Sequence, residues 1–417
     1  MKIIPLPACA PRRAAHLLQW ILATLTFFTT QPSAVGLDCT PFKVWTFNIR
    51  YNDGWICFGD CENEWYLSGG RTARRDTAES YMKASSPDIF GLQEVRDPAA
   101  SSGVRASQLD DVASWFPNHD HYARDRGDGE HCAIFYRKTR FVRVNAGTFW
   151  ISCFPDVPET KYPLDDAGGH SARIASWVQL FDSLTGTTFY VFNTHWSHVY
   201  SRSQDYAAAL LRQRAHQIAA GQPVIILGDF NTTENSTAFK ILTGATVYGG
   251  SAECLLELAH VPPANLPLAN SYRQANPVVS SDEATHHNFT GDTGGSRIDH
   301  VLHTTNDFTA QFGTIRRSAY PGSCGETSCH PSDHFAVEIL FRPLLPTVFV
   351  NFQANEIVCE IGTALSPFNS LDEGLSTVKP GGTLVLAATS KNSSMLINPT
   401  RGPITITSAG GASVLGK

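Results

Sequence analysis

The chain has 417 residues, 42% hydrophobic and 11% aromatic, and carries a formal net charge of −6. That apolar content excludes a disordered chain and supports one large domain plus a smaller addition. The acidic balance excludes a general nucleic-acid coat protein, which needs a basic excess, but not an enzyme that touches a few phosphates locally.

Residues 1–36 read as a secretory signal. Lys2, Arg12 and Arg13 give positive charge, an apolar stretch runs from Leu17 to Phe28 around Gln19, and the small residues up to Gly36 suit cleavage there. The competing reading is an uncleaved anchor, but the stretch falls short of the ~20 residues that a spanning helix needs. No later segment is long and apolar enough to span, so a secreted, extracellular protein is expected. Of ten cysteines, Cys9 lies in the signal, and the other nine suit an oxidising compartment with several disulfides. Cys57/Cys61 and Cys324/Cys329 are close enough to pair locally, and the remaining cysteines stay unassigned. The odd count leaves one thiol free or bridged to another molecule, and no cysteine doublets have zinc-finger form. Asn235 and Asn288 lie in glycosylation sequons.

From about Pro41 to Pro343, β-branched and aromatic runs predict strands at Phe42–Phe47, Ile89–Leu92, Ala133–Tyr136, Ile174–Phe181, Thr188–Asn193, Val224–Leu227, Ile298–Leu302 and Phe335–Phe341. Residues 147–151 and 177–181 show the alternation of half-buried strands. Thr72–Ala84 is expected to be helical and to end before Pro87. Ser201–Ala220 is expected to be helical with Tyr206, Leu210, Leu211 and Ile218 on one face and Gly221 as its stop. Many strands with few crossover helices predict an α/β (α+β) fold of two mostly antiparallel sheets packed face to face, with helices outside. Residues 37–345 are taken as the catalytic domain. Residues 346–417 are poor in charge and rich in Gly, Ser and Thr. Their short strands between Gly turns resemble the opening rungs of a right-handed parallel β-helix, too few to stand alone as a solenoid. Cell-surface or wall association is a role expected for this segment.

Short apolar strands end in, or abut, polar residues of catalytic type: Asn48, Glu94, His195, Asp229 with Asn231, and Asp299, while Asp333 and His334 open the last strand. Strands side by side would gather these ends at one rim. Glu94 and Asp333 are hard oxygen ligands suited to Mg²⁺ or Mn²⁺. Such a metal can neutralise a phosphoryl oxygen and stabilise a leaving group. Asp299 beside His334 can orient an imidazole and stabilise its charged form. Asn offers a neutral donor to a phosphate oxygen. The sum describes metal-assisted attack of water on a phosphoester. No phosphate loop of the nucleotide-driven motors or kinases is present.

Five stretches in chain order, Asp88–Asp97, Asn193–His198, Gly228–Asn231, Ser296–Asp299 and Ser332–His334, resemble the motifs of the endonuclease/exonuclease/phosphatase superfamily over about residues 42–342. The resemblance implies a four-layer αββα sandwich. It implies Glu94 as main metal ligand, with Asn48 nearby and Asp333 supporting, and Asp229 and Asn231 as binders of phosphate or metal-bound water. It implies His334 as general base oriented by Asp299, and His195 as a phosphate contact that can protonate the leaving group. Glu130, ahead of its strand, matches the Glu that pairs with that second His in pancreatic-deoxyribonuclease-like members, and Arg96 matches a phosphate-contacting Arg of that branch. Arg173, ahead of its own strand, is a further phosphate candidate. Ser152–Pro155 departs from the Ser-Glu-Thr-Pro stretch of many secreted bacterial-type relatives.

Several residues have blander readings. Asn48 can be a turn former and Asp229 an Asx-turn, but five ordered motifs favour function. Asn231 heads a third sequon and is expected to be unmodified. His198, His216, His286, His287 and His330 read as surface or loop histidines. Arg74/Arg75, Arg212/Arg214 and Arg316/Arg317 read as solvated faces, and Trp45, Trp150, Trp177 and Trp196 as core. The expected function is a secreted, monomeric, Mg²⁺- or Mn²⁺-dependent phosphoester hydrolase, first of all a nuclease or phosphodiesterase acting on nucleic acid, with Asn52–Arg75 as a groove-binding loop. The alternatives are a phosphatase or sphingomyelinase-like hydrolase of small or lipid phosphoesters, and a non-catalytic surface-binding protein.

Overall fold

The computed structural model describes residues 37–51, 65, 74–97, 107–254, 258–317, 330–354, 359–387 and 402–409. The signal segment, the pairs Cys57/Cys61 and Cys324/Cys329, and most of Asn52–Arg75 lie outside the described residues. In chain order the elements are β1 (Leu37–Asp38), β2 (Phe42–Asn48), α1 (Arg74–Ser85), β3 (Ile89–Arg96), α2 (Gln108–Trp115), β4 (His119–Tyr122), β5 (Glu130–Arg137), β6 (Phe141–Trp150), α3 (Pro163–Ala167), β7 (Ile174–Asp182), β8 (Thr187–His195) and α4 (Ser201–Ala219). They continue with β9 (Val224–Asp229), α5 (Thr237–Thr243), β10 (Leu268–Asn270), α6 (Ser271–Ala275), β11 (Asp299–Thr304), β12 (Phe308–Arg316), β13 (Ala336–Pro343), β14 (Leu345–Val350), β15 (Cys359–Glu360), α7 (Leu371–Thr377), β16 (Val378–Ala387) and β17 (Thr405–Ala409).

Two six-stranded sheets form the body, in the orders β10-β11-β9-β8-β7-β6 and β12-β13-β2-β3-β5-β4. Each is antiparallel except for one central parallel pair, β8 with β9 and β2 with β3. Alternation along β2 sets the layers. Phe42 and Val44 face the other sheet and meet Val178, Val191 and Leu227, whereas Trp45 and Phe47 face outward under Tyr81 and Met82 of α1. On the opposite outer face, Phe192 and Ile226 pack under Tyr206, Leu210 and Leu211 of α4. Both faces of each sheet are therefore covered, which is why the central strands read as nearly continuous apolar runs. Each large side chain so buried contributes roughly 1.5–3 kcal/mol. The expected layered sandwich is present. Helix α4 ends as anticipated, with Ala220 turning left-handed at φ 49° just before Gly221.

Two arginines read as solvated faces are instead buried. Arg74 donates to the carbonyls of Ile49 (2.6 Å) and Pro331 (3.2 Å). Arg212 donates to those of Val261, Leu242, Pro262 and Leu266. Each guanidinium satisfies carbonyls of loops or, for Leu242, of the last turn of α5. Of the tryptophans read as core, Trp45, Trp150 and Trp196 are buried and Trp177 is half-buried against the core; Trp196 stacks on Phe230 at 4.3 Å.

The segment after Pro346 adds a three-stranded parallel sheet, β14-β16-β17, with α7 against it. No further rung follows among the described residues, so the resemblance to a β-helix rests on these strands alone. A disulfide from Cys39 to Cys359 ties this segment to the start of the sandwich, and Cys153 pairs with Cys254. Cys132 is free and buried.

Candidate active site

The polar strand ends meet at one rim. A buried amide lattice just below it fixes the two sheets against each other. Asn193 donates to the carbonyls of Leu92 (2.9 Å) and Ala133 (2.8 Å), and accepts from Gln93 Nε2 (2.6 Å). Above this lattice β3 bulges between Leu92 and Val95, and Glu94 takes φ 60°. The bulge aims the Glu94 carboxylate into the cleft instead of along the pleat. Arg50 (φ 59°) and Asn231 (φ 50°) are left-handed as well, so three of these strand ends carry unfavourable backbone.

Asp229 is the hub. Its Oδ2 accepts from Asn48 Nδ2 at 3.0 Å and lies 3.6 Å from His195 Nε2 and 3.8 Å from His334 Nε2. Its Oδ1 accepts from the Asn231 amide nitrogen at 2.9 Å. Asn48 also donates to Glu94 Oε1 at 3.0 Å. Arg50 Nη1 stands between two further carboxylate oxygens, 3.7 Å from Glu94 and 3.6 Å from Asp333. His334 Nδ1 donates to Asp299 Oδ2 at 2.8 Å. His195 Nδ1 is 3.4 Å from Glu130 Oε1 without a hydrogen bond, and Glu130 accepts from Arg126 at 2.6 Å.

This geometry separates the two histidines. Burial disfavours charge on His334, but Asp299 and Asp229 outweigh it and raise its pKa to about 10. Burial and the nearby Arg173 lower His195 to about 3 despite Asp229. Burial raises Glu130 against the pull of Arg126. Burial works against the charge on Asp333, yet His334 and Arg50 hold its carboxyl below the usual range. The same cleft thus shifts the two imidazoles in opposite directions.

The cleft is a cavity of about 610 Å³, lined by Glu94, Arg96, Glu130, Arg173, His195, Asp229, Asn231, Asp333 and His334 among others. Nine of the eleven expected residues line it, and Asn48 and Asp299 are fully buried behind them, touching the carboxylates and His334. Arg50, Tyr51, Arg126, Asp128 and His170 also line the cavity and carry no motif signal beyond their charge or their place after a strand end. His198 and His286, read as bland loop histidines, line it too. His198 accepts from Arg173 at 3.2 Å, and the His286 ring lies 4.9 Å from that of His334. Spacing along the chain could not place them because loops carry them in. His287 is in a loop as expected, but buried and stacked on Phe335 at 3.9 Å.

Carboxylates Glu94, Asp229 and Asp333 give a hard oxygen donor set at the cavity wall, which fits a divalent cation such as Mg²⁺ or Mn²⁺. Two groups of ligating atoms lie within 4.8 Å of one another, His286 with Asp333 and His334, and Asp229 with Asp299 and His334. Glu94 belongs to neither group and joins through Asn48 and Arg50.

A family protein of known structure from Bacteroides thetaiotaomicron is 26% identical, over 72% of this chain and 97% of that one, with a TM-score of 0.55. The mannosyl-6-phosphatase of the same organism is 25% identical, over 72% and 99%, with a TM-score of 0.54. A Bacteroides vulgatus protein at 23% identity, over 73% and 99%, shares the fold with a TM-score of 0.54. No curated protein sequence matches the chain. Residues 45–334 match the family profile across the two sheets and the whole rim just described, and the chain belongs to the Endonuclease/Exonuclease/phosphatase family.

Proposed function

We propose that the chain is a secreted, divalent-metal-dependent phosphoester hydrolase whose centre is Asn48, Glu94, His195, Asp229, Asn231, Asp299, Asp333 and His334. The carrying observation is the Asp299–His334 pair directed at Asp229 in the cavity that also receives Glu94 and Asp333. Glu94 and Asp333, with Asn48 behind, would hold the ion. When bound, it supplies neutralisation of phosphoryl charge and a more acidic water. Asp229 and Asn231 orient the attacking water and the phosphoryl oxygens. His334, fixed at Nδ1 by Asp299, presents Nε2 as the base and accepts a proton once its surroundings no longer hold it charged. His195, backed by Glu130, faces the leaving oxygen, and Arg96 and Arg173 bind phosphate. Two disulfides suit an oxidising compartment, and no helix among the described residues is long and apolar enough to cross a membrane.

Two substrate readings follow. The closeness of Glu130 to His195 favours a phosphodiester, as in nuclease-type members. The likeness to a mannosyl-6-phosphatase favours a small phosphomonoester. Purified protein with Mg²⁺ or Mn²⁺, offered DNA, RNA, sphingomyelin, sugar phosphates and inositol phosphates, separates them. Asp229→Asn should lower turnover of whichever is cleaved by more than about 10³-fold. Unchanged turnover in that variant refutes the assigned centre.

A further inference from the structure

Arg173 stands just ahead of β7, where its carbonyl accepts from the Ile151 amide at 2.7 Å. It is 7% exposed and lines the cavity. Its Nη2 donates to His198 Nδ1 at 3.2 Å, while Nε and Nη1 are buried without a hydrogen-bond partner. Other arginines enclosed by the sandwich each have a carboxylate or several carbonyls as partners. Arg126 pairs with Glu130 at 2.6 Å, Arg140 with Asp182 at 2.9 Å, and Arg212 is capped by loop carbonyls. Glu130, the carboxylate best placed for Arg173, is already taken by Arg126. A guanidinium out of water with two free donors and no ion pair among the described residues is costly to bury. A bound anion removes that cost. Because Nη2 can only donate, His198 Nδ1 is the acceptor, and the ring proton sits on Nε2 as a further donor.

We propose that Arg173 and His198 form an anion pocket for the non-bridging oxygens of a terminal phosphate, so that the site selects phosphomonoesters over internal diesters. This rests on the hydrolase reading and decides between its two substrate classes. A terminal phosphate has three non-bridging oxygens and nearly two charges at neutral pH. A diester has two such oxygens and one charge. Glu94, Asp229 and Asp333 line the same cavity as Arg173 and His198. A monoester presents an extra oxygen and charge to Arg173 and His198. A diester presents an ester group there, which leaves the two Arg173 donors unmatched.

The test compares p-nitrophenyl phosphate with bis(p-nitrophenyl) phosphate, in the full chain with Mg²⁺, for the wild type, Arg173→Met and Arg173→Lys. Binding of inorganic phosphate to the metal-free proteins is measured by calorimetry. In Arg173→Met the monoester-to-diester ratio of kcat/KM should fall at least about tenfold and phosphate affinity by a similar factor. Arg173→Lys, which keeps the charge but not the planar donor pair, should fall in between. If Arg173→Met does not fold, an unchanged ratio in Arg173→Lys overturns the proposal. Equal losses on both substrates with unchanged phosphate affinity overturn it as well. If the wild type cleaves neither substrate while phosphate binding still depends on Arg173, the hydrolase reading fails and the anion pocket stands.

Discussion

Asp299 never reaches the cavity, yet it governs the residue that does. Its Oδ2 holds His334 Nδ1 at 2.8 Å, which fixes the ring and leaves Nε2 toward Asp229. Asp299→Asn keeps the size but replaces an acceptor of the Nδ1 proton by a group that can present its own N–H there. The tautomer then reverses and the base is lost. Turnover should drop by about 10²–10⁴-fold with KM changed little, which steady-state kinetics would show. A loss confined to KM would mean that Asp299 only shapes the binding surface. Asp229, Asn231, Asp299 and His334 were legible because chemistry needs those residue types at strand ends. Arg50, His198 and His286 were not, since a single charged or aromatic residue in a loop looks the same whether it faces solvent or a cleft. Arg74 and Arg212 failed for the same reason in reverse: sequence cannot tell an exposed arginine from one that caps buried carbonyls.

At the scale of the elements, the site depends on how closely β3, β8 and β9 approach. Gly228 lies at φ 154°, and a Cβ there would stand 2.1 Å from the Thr194 carbonyl oxygen across the parallel pair. Strand β8 is pinned to β3 and β5 by Asn193, whose amide serves Leu92, Ala133 and Gln93. Asn193→Ala removes three buried hydrogen bonds and takes this partner from the Leu92 and Ala133 carbonyls, at about 1–3 kcal/mol each, so a stability loss above about 2 kcal/mol is expected in denaturant unfolding. Turnover should fall with it, because Glu94 sits on the bulge directly after Gln93. A variant that loses activity without losing stability would mean the lattice acts on chemistry by another route. The strands read from sequence were the central ones, covered on both faces and therefore apolar throughout. Those passed over, β4, β10 and β12, together with the first half of β6, are the sheet edges. His119–Tyr122 is largely polar, and Val142 and Val144 on β6 are exposed, so the edge strands lack the continuous apolar signal.

On the scale of the whole molecule, the sandwich and the tail bury separate apolar cores. The tail has its own core of Leu345, Val348, Val350, Phe368 and Leu384, and no described residue beyond 345 lines the cavity. The contacts that join them include the Cys39–Cys359 disulfide, the pairing of β1 with β15, the hydrogen bonds of Arg342 to Ser376 and Thr377, and the ion pair of Lys379 with Asp307. These contacts sit near β12, β13 and the chain start, away from the rim that bears Glu94 and Asp229. A chain of residues 37–345, matching the proposed domain boundary and carrying Cys39→Ser, should therefore keep kcat/KM within about threefold, since distant sites without shared partners act independently. Its thermal midpoint should fall, because closing a loop of 320 residues stabilises by a few kcal/mol. Reduction of the full chain should reproduce part of that fall while leaving the tail sheet in place. Should the shortened chain fold cooperatively yet lose turnover, the tail acts on the site through β13, whose other end leads back to His334 and Asp333.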